Sequence, residues 1–244
     1  MSGDTRRIGV LVPPGNVAVE AELPNFLPAN VRMHTSRLYR KSVEVTYDGH
    51  LEMLRSVEQA ARGLAQAGVE VILFCCTSAS FMQGAGKDRE IASQIGAITG
   101  IPAVATATAV VEALEAVGAR RIYMVTPYTD DFNALEVQFI RDHDMEVLDC
   151  DAIPCRTTVQ IRAIPSGDVA ALVLKNRAKA DAADAIFLSC TNLHSMDQID
   201  RLEAMTGKPV ITSNSATLWA GLQGMDIDGG GMKAGRLFES TSSR

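Results

Sequence analysis

Two cysteines carry the chemistry available to this sequence. Cys76 and Cys190 stand 114 residues apart, each ending a short apolar run and each followed by small polar residues. The first reads Cys76-Thr77-Ser78 and the second Cys190-Thr191-Asn192. An unperturbed thiol has a pKa near ~8.5 and is mostly protonated at neutrality. A helix starting just after each cysteine would turn free N–H groups toward the sulfur and favour the thiolate. One cysteine would then act as a base and the other, still a thiol, as an acid. Either residue alone reads equally well as a small apolar filler; their equivalent placement argues for chemistry. A disulfide between them belongs to an oxidising compartment. Cys75 should face the opposite side of its strand and pack in the core.

The equivalence comes from an internal repeat. Residues 7–13 (RIGVLVP) recur as 121–127 (RIYMVTP), and 71–78 (VILFCCTS) recur as 185–192 (AIFLSCTN). A third match, TGIP at 99–102 against TGKP at 206–209, has slipped by seven residues. Duplication of this kind predicts a pseudo-twofold pair of units. Short Val/Ile/Leu-rich runs at 7–13, 31–38, 69–75, 102–106, 121–126, 146–152, 185–190 and 209–213 read as buried parallel strands. Helical patterns at 51–67, 109–116, 131–142, 168–178 and 197–205 alternate with them. The expected fold is therefore α/β: two pseudo-symmetric parallel-sheet lobes with the site in the cleft between them. The first lobe is placed at 1–102 and joined by 218–244, the second at 103–217.

Ligands of open α/β sheets sit beyond the carboxyl ends of the strands. Asn16 and Tyr128 follow equivalent strands, so an amide and a phenol are candidate donors to a carboxylate or an enolate. Asn16 also reads as a helix N-cap, and Tyr128 as a half-buried ring. Thr77, Ser78, Thr191 and Asn192 complete the substrate-binding candidates. His194 stands four residues after Cys190, as a polarising group or a solvent-facing one. Cys150 and Cys155 lack the spacing of a zinc site. Gly84-Ala85-Gly86 is no dinucleotide fingerprint, and no P-loop is present, so no metal or cofactor is expected. Residues 228–231 read as a loop or a lid.

Composition narrows the partners. The 244 residues are 47% hydrophobic and 21% charged, the make-up of a globular protein. A net charge of −6 argues against nucleic acid. An anionic substrate must then be held by local donors rather than drawn in by a global field. No apolar run has membrane-spanning length, and the first seven residues lack a signal-peptide core, so the expectation is cytoplasmic. Five cysteines make an odd number, which suits free thiols.

With these motifs the chain resembles the aspartate/glutamate racemase superfamily, in its maleate cis–trans isomerase and arylmalonate decarboxylase branch. Arg7-Ile8-Gly9 through Asn16, with Glu20, Glu22 and Pro24, resembles the start of maleate isomerases. Cys76 and Cys190 match the cysteine pair of those isomerases and of the racemases. Arylmalonate decarboxylase has glycine in place of the first. Thr77-Ser78-Ala79-Ser80-Phe81 looks like the decarboxylase's dioxyanion-hole segment, and Pro13-Pro14 and Tyr128-Thr129-Asp130-Asp131 also lean that way. An ectoine-utilisation branch shares a similar Cys-Thr-Ser-Ala-Ser run, and the terminal Gly235-Arg236-Leu237-Phe238 fits the superfamily too.

The resemblance implies a cofactor-free active site between two lobes and a homodimer or larger homo-oligomer. It implies an isomerase or racemase in which Cys76 and Cys190 work on a small carboxylate. The alternatives are a malonate decarboxylase with Cys190 as proton donor, and a small-molecule binding module without catalysis.

Overall fold

Eight parallel strands form two four-stranded sheets with the same strand order. The computed structural model describes residues 5–229 and 232–239. The first sheet holds β1 (Arg6–Val12), β2 (Val31–Arg37), β3 (Val71–Phe74) and β4 (Ala103–Ala105), ordered β2-β1-β3-β4. The second holds β5 (Arg121–Thr126), β6 (Glu146–Ala152), β7 (Ala185–Leu188) and β8 (Val210–Thr212), ordered β6-β5-β7-β8. Ile8 pairs with Val71 in one sheet, and the repeat equivalents Ile122 and Ala185 pair in the other. The repeat seen in the sequence is thus a repeat of register. Burial on both faces explains why these strands read as continuous apolar runs.

Helices follow the strands: α1 (Ala18–Glu22), α2 (Tyr47–Leu54), α3 (Val57–Gln66), α4 (Thr77–Phe81), α5 (Lys87–Thr99), α6 (Thr106–Ala116) and α7 (Asp130–Arg141). Then come α8 (Thr158–Arg162), α9 (Ser166–Lys175), α10 (Arg177–Ala182), α11 (Ile199–Thr206), α12 (Ser213–Gln223) and α13 (Arg236–Glu239). The seven-residue slip has a structural cause. Between β3 and β4 the chain builds α4 and the long α5, whereas between β7 and β8 it builds one 3-10 turn and the shorter α11.

The helix expected over 51–67 is two helices, broken at Arg55 and Ser56. Ser56 Oγ donates to Met53 O at 2.7 Å and accepts from Tyr39 N, which draws the chain out of helical continuation. Its true start is at Tyr47, capped by the Thr46 hydroxyl, which accepts from Gly49 N. The 168–178 pattern likewise breaks at Asn176. The strands expected at 69–75 and 185–190 stop at Phe74 and Leu188, just short of the two cysteines.

Helices α6 and α12 pack on each other at the centre of the molecule, each touching strands of both sheets. Thr217 Oγ1 donates to Thr106 Oγ1 at 3.0 Å across that contact. Gly221 of α12 lies so close to β3 that a Cβ there would meet Leu73 Cδ2 at 2.9 Å. One buried apolar cluster runs through both sheets, from Val10 and Leu73 to Val125, Phe187 and Ile211. A second, with Phe74, Ile72, Ala61 and Ile95, fills the space under α3 and α5. Among the described residues no helix is long and apolar enough to cross a membrane. The loop or lid reading of 228–231 falls partly on Gly230 and Gly231, outside the described residues, as does the reading of residues 1–4.

Candidate active site

The carboxyl ends of β1, β3, β5 and β7 converge on one cavity, and both cysteines line it. Cys76 leaves β3 and caps α4 with extended backbone. Cys190 leaves β7 with φ +96°, in the left-handed region that disfavours a side chain. Its N–H donates to Ser213 Oγ at 2.9 Å, which fixes that conformation. Strain of this kind costs on the order of 1–3 kcal/mol and collects where a side chain must be aimed. The expected helix after Cys76 is present as α4, but Cys190 is followed by a turn, not a helix. The positive φ of Cys190 sends the chain elsewhere.

A seam of hydrogen bonds locks the two strand ends together. Thr77 Oγ1 donates to Ser213 Oγ at 2.9 Å, and Thr191 N donates to Thr77 Oγ1 at 3.2 Å. Thr191 Oγ1 donates to Cys75 O, and Asn16 Nδ2 donates to Thr191 Oγ1 at 3.0 Å. Asn192 Oδ1 accepts from Val17 N while its Nδ2 donates to Thr158 O. Asn16, Thr77, Ser78, Tyr128, Thr191 and Asn192 therefore all line the cavity, as the sequence suggested. The hydroxyl protons of Thr77 and Thr191 are already committed to the seam. Asn16 joins both readings: it lines the cavity, and its Oδ1 accepts from Val19 N at the start of α1. Gly15 lets this loop approach α8, because a Cβ there would collide with Thr158.

Tyr128 is buried, and its hydroxyl has no hydrogen-bond partner. The ring packs edge-on to Phe81, with centroids 6.0 Å apart, and the hydroxyl faces the Cys190 thiol. Burial pushes the phenol well above its ordinary range, so it is a donor at every accessible pH.

Both thiols are protonated at rest. Burial pushes Cys190 up to about 12, against the opposing pull of Tyr128 and the Asn192 N–H. Burial also raises Cys76, opposed by the Ala79 N–H and the Arg40 charge. The help that the start of α4 gives a Cys76 thiolate is outweighed by desolvation. The two sites differ in one respect: Cys76 has a cation beside it. Cys75 behaves as read, a buried core residue whose Sγ points back to Leu73 O. His194 lies away from both thiols, in a surface hollow with Glu22, Arg162 and Asp197. Among the described residues no group of three metal-ligating side chains assembles.

Two titratable lining residues escaped the sequence reading, Arg40 and His50. His50 opens the buried side of α2, which was expected to begin one residue later. Its Nδ1 lies 2.7 Å from Thr46 O and its Nε2 lies 2.6 Å from Ser78 Oγ. A carbonyl only accepts, so Nδ1 carries the proton and Nε2 accepts from the Ser78 hydroxyl. Ser78 Oγ then faces Cys76 Sγ, 3.9 Å away, as an acceptor. The Thr46 cap, followed at the third helical position by Gly49, was the signal for the helix start. Nothing in the sequence marked Arg40.

Burial, opposed by the Thr46 carbonyl and reinforced by the Arg40 charge, lowers His50 to about 4. A histidine that is held neutral in the fold stabilises fully above its unfolded pKa of ~6.5, and that stability is lost as pH falls toward 4. The loss should be about 3 kcal/mol. Urea midpoints for wild type and His50→Gln should differ at pH 7, and the gap should close at pH 4. Parallel pH dependences would show that His50 already carries a proton in the fold.

Comparison with known proteins adds four findings. A family model described as arylmalonate decarboxylase matches residues 8–238. Arylmalonate decarboxylase of Bordetella bronchiseptica is 30% identical over 241 residues, covering 97% of this chain and 98% of that protein. The structure of a maleate isomerase variant from Pseudomonas putida S16 with maleate superposes with a TM-score of 0.89 at 28% identity, covering 96% of this chain and 98% of the other. A Nocardia farcinica maleate cis–trans isomerase variant superposes with a TM-score of 0.88 at 25% identity, covering 98% of this chain and 99% of that one. It carries a covalently bound succinylcysteine intermediate.

Proposed function

The chain belongs to the arylmalonate decarboxylase family, and within it we propose a cofactor-independent, two-cysteine isomerase acting on a small carboxylate, with maleate as the model substrate. The observation that carries this reading is the placement of Cys76 and Cys190 on one cavity, one from each sheet. A decarboxylase needs one proton donor. A second thiol at the equivalent strand end suits a reaction that must reach its substrate from two sides.

Cys76 takes the part of nucleophile or base, because the Arg40 cation and the Ala79 N–H favour its thiolate. Cys190, which has no cation beside it, takes the part of acid. In a maleate-type reaction Cys76 first releases its proton to solvent, and its thiolate forms an S–C bond to one alkene carbon. The electron pair of the π bond passes to the other carbon, stabilised through its carboxylate, and Cys190 delivers a proton to that carbon. Rotation about the new single bond follows. Cys190 then takes the proton back, the S–C bond breaks and the trans alkene leaves. In a racemase-type reaction the same pair removes a proton from one face of a carbon and returns one to the other. Tyr128 supplies an unpaired donor for the carboxylate as it gains enolate character. The succinylcysteine in the related isomerase supports the covalent route.

Decarboxylation is the second reading, favoured by the family match and by the 30% identity to the Bordetella enzyme. There Cys190 alone would protonate the enediolate left by CO₂, and Cys76 would be idle. The reading also places the enzyme in the cytoplasm, as a homodimer or larger homo-oligomer. All five cysteines are free, which suits a reducing compartment.

Proton NMR in D₂O with maleate, α-amino acids, hydantoins and arylmalonates separates these reactions. Fumarate formed from maleate, or deuterium washed into an α-position, is the expected result. Deuterated monoacid from an arylmalonate, with no isomerisation, would replace the first reading by the second.

A further inference from the structure

Arg40 is buried, its Nε has no hydrogen-bond partner, and it forms no ion pair among the described residues. It lines the same cavity as Cys76, His50, Tyr128 and Cys190. Glu52, whose charge acts on Arg40, forms no ion pair with it and accepts instead from Lys41 N. His50 is neutral and committed to Thr46 and Ser78, so Arg40 is the one formal charge among the cavity's lining residues. A buried guanidinium without a partner is costly, and a protein keeps one where an anion arrives to satisfy it. With a net charge of −6 the protein has no global field to attract an anion, so this local cation is what recognises one.

Tyr128 supplies the complementary observation. Its hydroxyl is the other buried donor of the cavity that lacks a partner. The cavity thus offers two unsatisfied donors, one beside each cysteine.

We propose that Arg40 is the specificity-determining residue of this site, holding a second anionic group of the substrate beside Cys76 while Tyr128 holds the carboxylate beside Cys190. Maleate and arylmalonates, the substrates in the names of the related enzymes, are dicarboxylates, and Arg40 is the residue of this chain that selects such a dianion over a neutral ring or a monocarboxylate. This rests on the cavity being the active site. The planar fork of arginine matches a carboxylate with two parallel hydrogen bonds, which a lysine would not reproduce.

The test uses dead-end ligands, so it does not depend on turnover. Succinate and succinamate have nearly the same shape and differ by one charge. Calorimetric titration of wild-type protein should show succinate binding about 30-fold or more tighter than succinamate, as expected for a desolvated charge pair. In Arg40→Gln that preference should fall to within about 3-fold, through loss of succinate affinity alone. Arg40→Met should melt no lower than wild type, because a guanidinium with no protein partner contributes nothing to the fold.

Three outcomes would overturn the proposal: no charge preference in wild type, an undiminished preference in Arg40→Gln, or a melting temperature in Arg40→Met lowered by many degrees. The last would make Arg40 a structural residue. Failure of the isomerase reading looks different: the dianion preference persists while no dicarboxylate is isomerised.

Discussion

Alanine at Cys76 and alanine at Cys190 should each lower turnover about 1,000-fold or more while the protein remains folded. Each thiol lies at the end of a core strand, one beside the lone cation and one facing an unpaired phenol. No nearby side chain can take over either role. His50 is neutral, but its Nε2 is occupied by Ser78, and Ser78 Oγ presents lone pairs to Cys76, not a proton. The loss of one buried sulfur costs little packing, so circular dichroism and melting temperature should stay close to wild type. The two variants then separate the reactions. If both are dead toward isomerisation, the chemistry is two-sided. If Cys76→Ala retains near wild-type CO₂ release from an arylmalonate while Cys190→Ala does not, the protein is a decarboxylase. A Cys190→Ser variant incubated with maleate should gain the mass of one substrate molecule, on the peptide that contains Cys76. Finding no adduct, with isomerisation intact in wild type, would favour water in place of Cys76 as the group that adds reversibly to the double bond.

Much of this was legible because duplication writes itself into sequence. The paired runs 71–78 and 185–192 located both cysteines, and the structure gives them equivalent strand registers. The candidate donors Asn16, Tyr128, Thr77, Ser78, Thr191 and Asn192 followed from their position at strand ends, and all of them reach the cavity. Their present bonding was not legible, since it depends on contacts between segments up to 175 residues apart, such as Asn16 with Thr191. Arg40 and His50 were hidden for a related reason. They come from the connection after β2, which has no counterpart motif in the second half, and a polar residue in a loop looks like any other until it is buried. The resting ionisation was not legible either, for a physical reason. A helix end acts over one turn, whereas desolvation acts on the whole thiol.

Glu136→Gln should stabilise the protein at pH 8 by on the order of 4 kcal/mol and do almost nothing at pH 4. Glu136 lies on α7, fully enclosed among Cys150, Tyr128 and Cys190. Its Oε1 accepts from Ser189 Oγ at 2.6 Å, and its Oε2 has no partner. Burial pushes this carboxyl up to about 8, and the single bond from Ser189 only partly opposes it. The sign follows from the raised value. Below the unfolded pKa of ~4.5 both states hold the proton and stability is intact. Between there and 8 the unfolded chain releases its proton while the folded chain cannot, so stability drains away as pH rises. Glutamine copies the neutral acid and does not titrate, so its advantage should grow across that window and level off above it. Denaturant midpoints of the two proteins from pH 4 to pH 9 would read this directly. The protonation state matters to the site because a carboxylate behind Cys190 would hold that thiol's proton still more tightly. A neutral Glu136 leaves Cys190 an acid that can still give its proton up. A stability difference that stays flat with pH would mean that Glu136 is ionised in the fold, and that Cys190 works against a fixed negative charge.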